Sequence, residues 1–277
     1  MEDLDFTRSA KSPIYDPAIA REFFESSGKV ESMAQGGSFF VEDQKSDNMY
    51  LLLEGEVSLI HGKKVIDIVK EGEIFGEMAA ISRLPRSATA VAKTACRVIS
   101  LDAERFQSAI QRTPEFSLML LNIMINRLRL TIAMSAVSKA PSDEEKWRER
   151  SVFDKRLLAD LARELKDRPP AHCPLNKVIM REGEAGVFMY VVHEGSVAIS
   201  IRSRIVERVG PGGIFGEMAL VDQSPRAASA TAVTDCSLLA INRNDFLALV
   251  KTRPAFFGIA LLKAVAERLR YMTSRHK

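Results

Sequence analysis

Apolar residues fall along this chain in short bursts, many of them broken by glycine. Between residues 49 and 69 they read "MYLLLEGEVSLI" and "KKVIDIV"; between 188 and 209 they read "FMYVVHEGSVAISI" and "RIVERV". Short β-rich runs with glycine at the joints predict the strands of a sandwich or barrel. Another strand pair is predicted in each of "SATAVAKTACRVISLD", from Ser87, and "ASATAVTDCSLLAIN", from Ala228. The pattern then turns helical. "AERFQSAIQRT" leads into a long helix from Pro114 to about Val137, and "NDFLALVKT" into another from Pro254 to about Ser274. Proline suits the first turn of a helix, where its missing N–H is not needed.

The two halves are one unit written twice. Tyr50 matches Tyr190, Glu54-Gly55 matches Glu194-Gly195, and the five residues from Phe75 match the five from Phe215. Pro85-Arg86 matches Pro225-Arg226, Cys96 matches Cys236, and Pro114 matches Pro254, always 140 positions apart. A gapless register over that span marks a tandem duplication. The copies are joined by "SKAPSDEEKWRERS". Pro141 should stop the first long helix. Ser142 or Asp143 is expected to cap a linker helix running towards Leu165. The expected organisation is residues 1–138 as first domain, 139–150 as linker and 151–277 as second domain.

Composition adds mainly exclusions. The 277 residues suit two domains, and a net charge of +3 is too small to argue for nucleic acid. Three cysteines at scattered positions (Cys96, Cys173, Cys236) form no metal or disulfide framework, and a reduced, cytoplasmic setting is expected. The acidic N-terminus lacks the order of a signal peptide. The most apolar run, Phe116 to Ile125, is followed by Asn126, Arg127 and Arg129 and reads as too short to span a bilayer. The four histidines show no metal-ligand spacing, and no catalytic triad is present.

The chemistry lies in "GEIFGEMAAISRLPRSATAVA", from Gly72, and "GGIFGEMALVDQSPRAASATA", from Gly212. Gly76 permits a tight backbone, and a short helix from Glu77 would offer free N–H groups to an anion. Arg86 supplies a planar cation suited to phosphate oxygens. Glu77, when ionised, can only accept hydrogen bonds and so calls for a hydroxyl donor. Ala79, Ala80, Ser87 and Ala88 leave room between them. An anion holder and a hydroxyl acceptor together describe a sugar phosphate. The competing reading is a surface ion pair, worth under about 1 kcal/mol.

Both stretches resemble the phosphate-binding cassette of cyclic-nucleotide-binding domains, the family of the catabolite activator protein and the protein kinase A regulatory subunit. "FGEMAAISRLPRSAT" and "FGEMALVDQSPRAAS" carry its pattern with the right gap, and the Tyr50–Gly55 and Tyr190–Gly195 spacings fit too. The resemblance implies a mainly β fold with flanking helices: two tandem jelly-roll β-barrels, each followed by a long helix. It implies that Arg86 and Arg226 pair with a cyclic phosphate and that Glu77 and Glu217 accept from the ribose 2′-hydroxyl. The walls would be Gly76, Met78, Ala79, Ser87 and Ala88 in site one, and Gly216, Met218, Ala219, Ala227 and Ala228 in site two. Thr131 would reach the base in site one. Tyr271 would cover the purine in site two, with packing on its own domain as an equal alternative.

Ala227 leans towards cAMP; Ser87 leaves cAMP and cGMP open at site one. Copy one has "EDQKSD" where copy two has the glycine turn "EGEAG". A differently shaped loop, and weaker binding, are therefore expected at site one. A homodimer through the long helices is compatible with the family. Trp147 is weighed as a cap on the first nucleotide against plain helix packing. Too few residues follow Ser274 for a helix-turn-helix, so no specific DNA binding is expected. The N-terminal arm lacks an arginine-pair pseudosubstrate. No cofactor is expected. The resulting expectation is a non-enzymatic cyclic-nucleotide receptor, cytoplasmic, signalling to an unknown protein effector. Its alternatives are a nucleotide-free tandem scaffold and a phosphodiesterase.

Overall fold

The computed structural model describes residues 16–135, 151–165 and 169–274. The linker 139–150 and Trp147 lie outside them. By compactness the chain divides into two units: described residues up to Leu128 with those from Arg253 on, and those from Arg129 to Thr252.

The first unit carries eight strands: β1 (Lys29–Met33), β2 (Ser38–Phe40), β3 (Met49–Glu54), β4 (Val57–His61), β5 (Lys64–Val69), β6 (Ile74–Phe75), β7 (Thr89–Ala92) and β8 (Cys96–Leu101). They pair as two four-stranded sheets, ordered β1-β8-β3-β6 and β2-β7-β4-β5, with every pairing antiparallel. Helices α1 (Pro17–Glu25), α2 (Glu77–Ser82), α3 (Ala103–Arg112) and α4 (Pro114–Ser135) flank the sheets. Side chains from both sheets share one core, including Phe40, Tyr50, Leu52, Val57, Phe75, Ala90 and Val98.

The second unit repeats the plan. After α5 (Lys155–Glu164) come β9 (Ala171–Cys173), β10 (Val178–Met180), β11 (Phe188–Glu194), β12 (Val197–Ile201), β13 (Arg204–Val209), β14 (Ile214–Phe215), α6 (Glu217–Asp222), β15 (Ser229–Ala232), β16 (Cys236–Asn242) and α7 (Arg243–Thr252). The sheets are ordered β9-β16-β11-β14 and β10-β15-β12-β13. The expected fold, two tandem β-sandwich or jelly-roll units with flanking helices, is the one observed.

Repeated residues do repeated work. Tyr50 stacks on Phe75 with ring centroids 5.0 Å apart, and Tyr190 on Phe215 at 5.1 Å; such pairs add about 0.5–1.5 kcal/mol to simple area burial. In β7 and β15 alternate residues point inward, so Ala90, Ala92, Ala230 and Ala232 are buried. Gly55 and Gly195 sit at φ +96° and +87°, where a Cβ would fall 2.4 Å from the Ala95 carbonyl oxygen and 2.3 Å from that of Asp235. This explains the glycine five residues after each tyrosine.

One helix expectation changes. Residues Ser151–Asp154 are not helical, and Asp154 caps α5 by accepting from the Leu157 N–H at 2.9 Å; Ser142 and Asp143, the expected caps of a helix running towards Leu165, lie outside the described residues. Helix α4 runs to 22 residues and, by length and composition alone, is apolar enough to cross a membrane. Its Phe116, Met119, Leu120, Leu121, Met124, Ile125 and Leu128 are buried, and Phe116 stacks on Phe23 of α1 with centroids 3.6 Å apart. That packing accounts for a helix apolar on most sides.

A π-helical turn, Pro254–Gly258, opens the last helical segment, and α8 (Ile259–Ser274) continues it. The Ile259 N–H reaches back to the Pro254 carbonyl. In copy one α4 starts directly at Pro114. The wide turn houses the one residue by which the second helix is longer, so Arg129 corresponds to Arg270, 141 positions on.

Candidate functional site

In each unit a two-residue strand ends in glycine, a six-residue helix follows, and a loop returns an arginine beneath it. Gly76 and Gly216 precede α2 and α6 at φ +77° and +79°. A Cβ on Gly76 would lie 2.9 Å from Arg86 Nη1, and one on Gly216 would lie 2.7 Å from Arg226 Nη1. Glycine is therefore required by the backbone conformation and by the nearby guanidinium together.

Among the described residues, the buried charged side chains are four: Glu77 (5% exposed), Arg86 (1%), Glu217 (1%) and Arg226 (6%). The surface ion pair is thereby set aside. Arg86 donates from Nε to Ser46 Oγ at 2.7 Å, from Nη1 to the Gly76 carbonyl at 2.8 Å and from Nη2 to the Asn48 carbonyl at 2.7 Å. Its guanidinium lies 3.9 Å from the centroid of the Phe40 ring. Arg226 donates from Nη1 to the Gly216 carbonyl at 2.7 Å and from Nη2 to the Phe188 carbonyl at 2.6 Å. These acceptors are neutral. Burial pushes both guanidinium groups down from their ordinary value, while Tyr50 and Glu77, or Tyr190 and Glu217, work the other way. A buried cation held by neutral oxygens gains from an anion brought to it.

The loop expectation is corrected. Asp43 adopts φ +63° where Gly183 adopts +83°. The Asp43 N–H donates to the Arg86 carbonyl at 3.0 Å, as the Gly183 N–H does to that of Arg226 at 2.9 Å. The returning bonds match as well, from the Arg86 N–H to the Gln44 carbonyl and from the Arg226 N–H to the Glu184 carbonyl, at 2.9 and 2.8 Å. Aspartate tolerates the left-handed region, so the loop keeps its shape without glycine.

The structure brings Gly76, Glu77, Met78 and Ala79 to the start of α2, with Arg86, Ser87 and Ala88 in the loop that leads into β7. Gly216, Glu217, Met218, Ala219, Arg226, Ala227 and Ala228 are arranged likewise. Ala79, Ala88 and Ala219 are buried, and Ser87 is exposed. By compactness Thr131 is grouped with the second unit and Tyr271 with the first. In the first unit α8 packs on α2, and Arg270 donates to the Pro85 carbonyl. In the second, Arg129 binds Asp222 through Nε and Nη2 and the Pro225 carbonyl through Nη1 at 3.0 Å.

Sequence reasoning also missed Arg127, whose Nη1 lies 2.5 Å from Glu77 Oε1. The repeated Arg-Leu-Arg of "NRLRLT" and "ERLRYM" was the available signal.

The sequence matches the cyclic nucleotide-binding domain family over residues 30–113 and 171–253, more than half of the chain. The chain belongs to that family. Within it, the cyclic AMP receptor protein of Thermus thermophilus is 39% identical over 102 residues, 35% of this chain and 47% of that protein. The cAMP-dependent protein kinase type II regulatory subunit of Drosophila melanogaster is 26% identical over 217 residues, 73% of this chain and 49% of that protein. Against both of these curated relatives the chain spans about half the length. The regulatory domain of Toxoplasma gondii PKA, solved with cAMP, is 19% identical with a TM-score of 0.33, covering 85% of this chain and 92% of that one. Both cyclic nucleotide-binding domains here bury an arginine and a glutamate at equivalent positions, Arg86 with Glu77 and Arg226 with Glu217.

Proposed function

We propose that this chain is a non-enzymatic cyclic-nucleotide receptor with two tandem sites. The observation that carries the reading is the pair of buried guanidinium groups, Arg86 and Arg226, held only by neutral oxygens beside buried Glu77 and Glu217. The arginine receives the cyclic phosphate through charge-assisted bonds, and the glutamate accepts from a ribose hydroxyl. Ala227 favours cAMP in site two, and site one takes cAMP or cGMP. Among the described residues no group of three or more His, Cys, Asp or Glu is placed to hold a metal, which gives a hydrolytic reading no support. The three cysteines are free thiols, in keeping with a cytoplasmic setting.

Ligand at a cassette changes what the short helix presents to the long helix packed on it. For signalling, that ligand must favour one arrangement over another. The output is a surface read by a protein effector. Titration calorimetry with cAMP and cGMP tests the reading. Two equivalents of cAMP are expected per chain. Arg86→Ala and Arg226→Ala should each remove one, a loss of about 1.5–3 kcal/mol or more at the altered site. Unchanged stoichiometry and affinity in both variants would reject the assignment; no heat with either nucleotide would leave the scaffold reading standing.

A further inference from the structure

The two arginines differ on one edge. In both units Nη1 and Nη2 are held by backbone carbonyls: Gly76 and Asn48 in the first, Gly216 and Phe188 in the second. The Nε edge is not matched. In the first unit Ser46 Oγ accepts from Arg86 Nε at 2.7 Å. The equivalent of Ser46 is Gly186, and Arg226 Nε is buried with no hydrogen-bond partner. Space as well as chemistry separates them: a Cβ at Gly186 would fall 2.2 Å from Arg226 Nε. A serine could enter there only by displacing the arginine.

Resting on the reading of Arg86 and Arg226 as phosphate holders, we propose that Ser46 is an affinity-setting residue. It serves as a built-in substitute for a phosphate oxygen at site one, so that site two fills first. A buried donor without an acceptor is disfavoured, and a ligand oxygen that supplies one removes that penalty. Site two therefore gains a hydrogen bond outright when phosphate arrives. Site one exchanges one bond for another, because the Ser46 hydroxyl must yield Nε or share it. The neighbouring loop does not explain the difference, since Asp43 and Gly183 hold the same backbone bonds to their arginines. The ranking follows from one side chain, and serine at this position sets the first site to respond at higher ligand concentration.

The test isolates each site in the full chain and uses cAMP as the probe. Arg226→Ala leaves site one to be titrated, and Arg86→Ala leaves site two. Site two is expected to bind more tightly. Adding Ser46→Ala to the Arg226→Ala chain should then tighten site one by roughly three- to tenfold, the factor that one hydrogen bond of ordinary net strength represents. Ser46→Gly, which installs the residue of the second copy, should do the same and covers the case in which alanine disturbs the loop. Thermal melts confirm that each variant is folded. Unchanged or weakened affinity at site one in both folded variants would overturn the proposal while leaving the receptor reading intact. Absence of any cAMP binding in the unaltered chain would overturn both, and is recognised before any variant is made.

Discussion

Arg127 and Glu77 stand 50 positions apart in sequence and 2.5 Å apart in space, through Nη1 and Oε1. The pair places a cation from α4 on the carboxylate at the head of α2. One carboxylate oxygen is thus committed before any ligand hydroxyl approaches.

Removing the cation leaves Glu77 buried with its charge less well matched. Breaking a fully buried pair costs about 3–5 kcal/mol; Arg127 is partly exposed, so Arg127→Met is expected to cost about 1–3 kcal/mol. Urea unfolding measures this. Glu77→Gln added to that variant should recover part of the loss, and the cycle of single and double variants gives the coupling directly.

The pair between Arg129 and Asp222 should be stronger than its counterpart. Arg129 grips Asp222 with two nitrogens, and Asp222 is nearly buried. The residue equivalent to Asp222 is Ser82, whose hydroxyl donates to the Met78 carbonyl at 2.6 Å. A double-mutant cycle to alanine at Arg129 and Asp222 should return about 1–3 kcal/mol of coupling. The cycle at Arg270 and Ser82 should return less than about 0.5 kcal/mol.

Gly216→Ala joins two penalties, a φ of +79° and a Cβ 2.7 Å from Arg226 Nη1. The arginine is then expected to leave its place. Stability should fall by about 1–3 kcal/mol and cAMP affinity at site two should fall with it. Thermal melts and calorimetry separate the two effects.

Asp67 offers a test by pH. Burial pushes its carboxyl above the ordinary value, Arg127 works against this, and Glu73 and Glu77 add to the rise. The folded chain therefore holds this proton more firmly than the unfolded one. Its contribution to stability falls as pH rises from the ordinary carboxylate value through the raised one. Asp67→Asn should flatten the part of the profile that lies just above the ordinary carboxylate value, and leave the protein more stable at higher pH. Urea midpoints across that range check the sign.

The repeat was legible because each residue at the constant offset performs one local task twice. Tyr50 and Tyr190 stack, Gly55 and Gly195 admit a carbonyl, and Pro114 and Pro254 begin helical segments. The cassette was legible for the same reason, since its glycine, glutamate and arginine lie within one short stretch. What failed depended on distance. Nothing local in Arg127 points to Glu77. The loop expectation failed because glycine was treated as necessary where aspartate also adopts the required φ. The informative difference lay three residues after Gly183, at the second glycine of that turn, Gly186, which stands where copy one has Ser46.

The π-helical turn at Pro254–Gly258 bears on how the copies diverged. One residue added to an α-helix rotates everything beyond it by about 100°. The wide turn takes up that rotation near the start, and Arg270 still meets a proline carbonyl as Arg129 does. The extra residue, which would otherwise turn Arg270 away from the Pro85 carbonyl, is accommodated within one turn. The wide turn thus holds the one residue by which the halves differ in length, and deleting one residue there is a direct way to bring them into register.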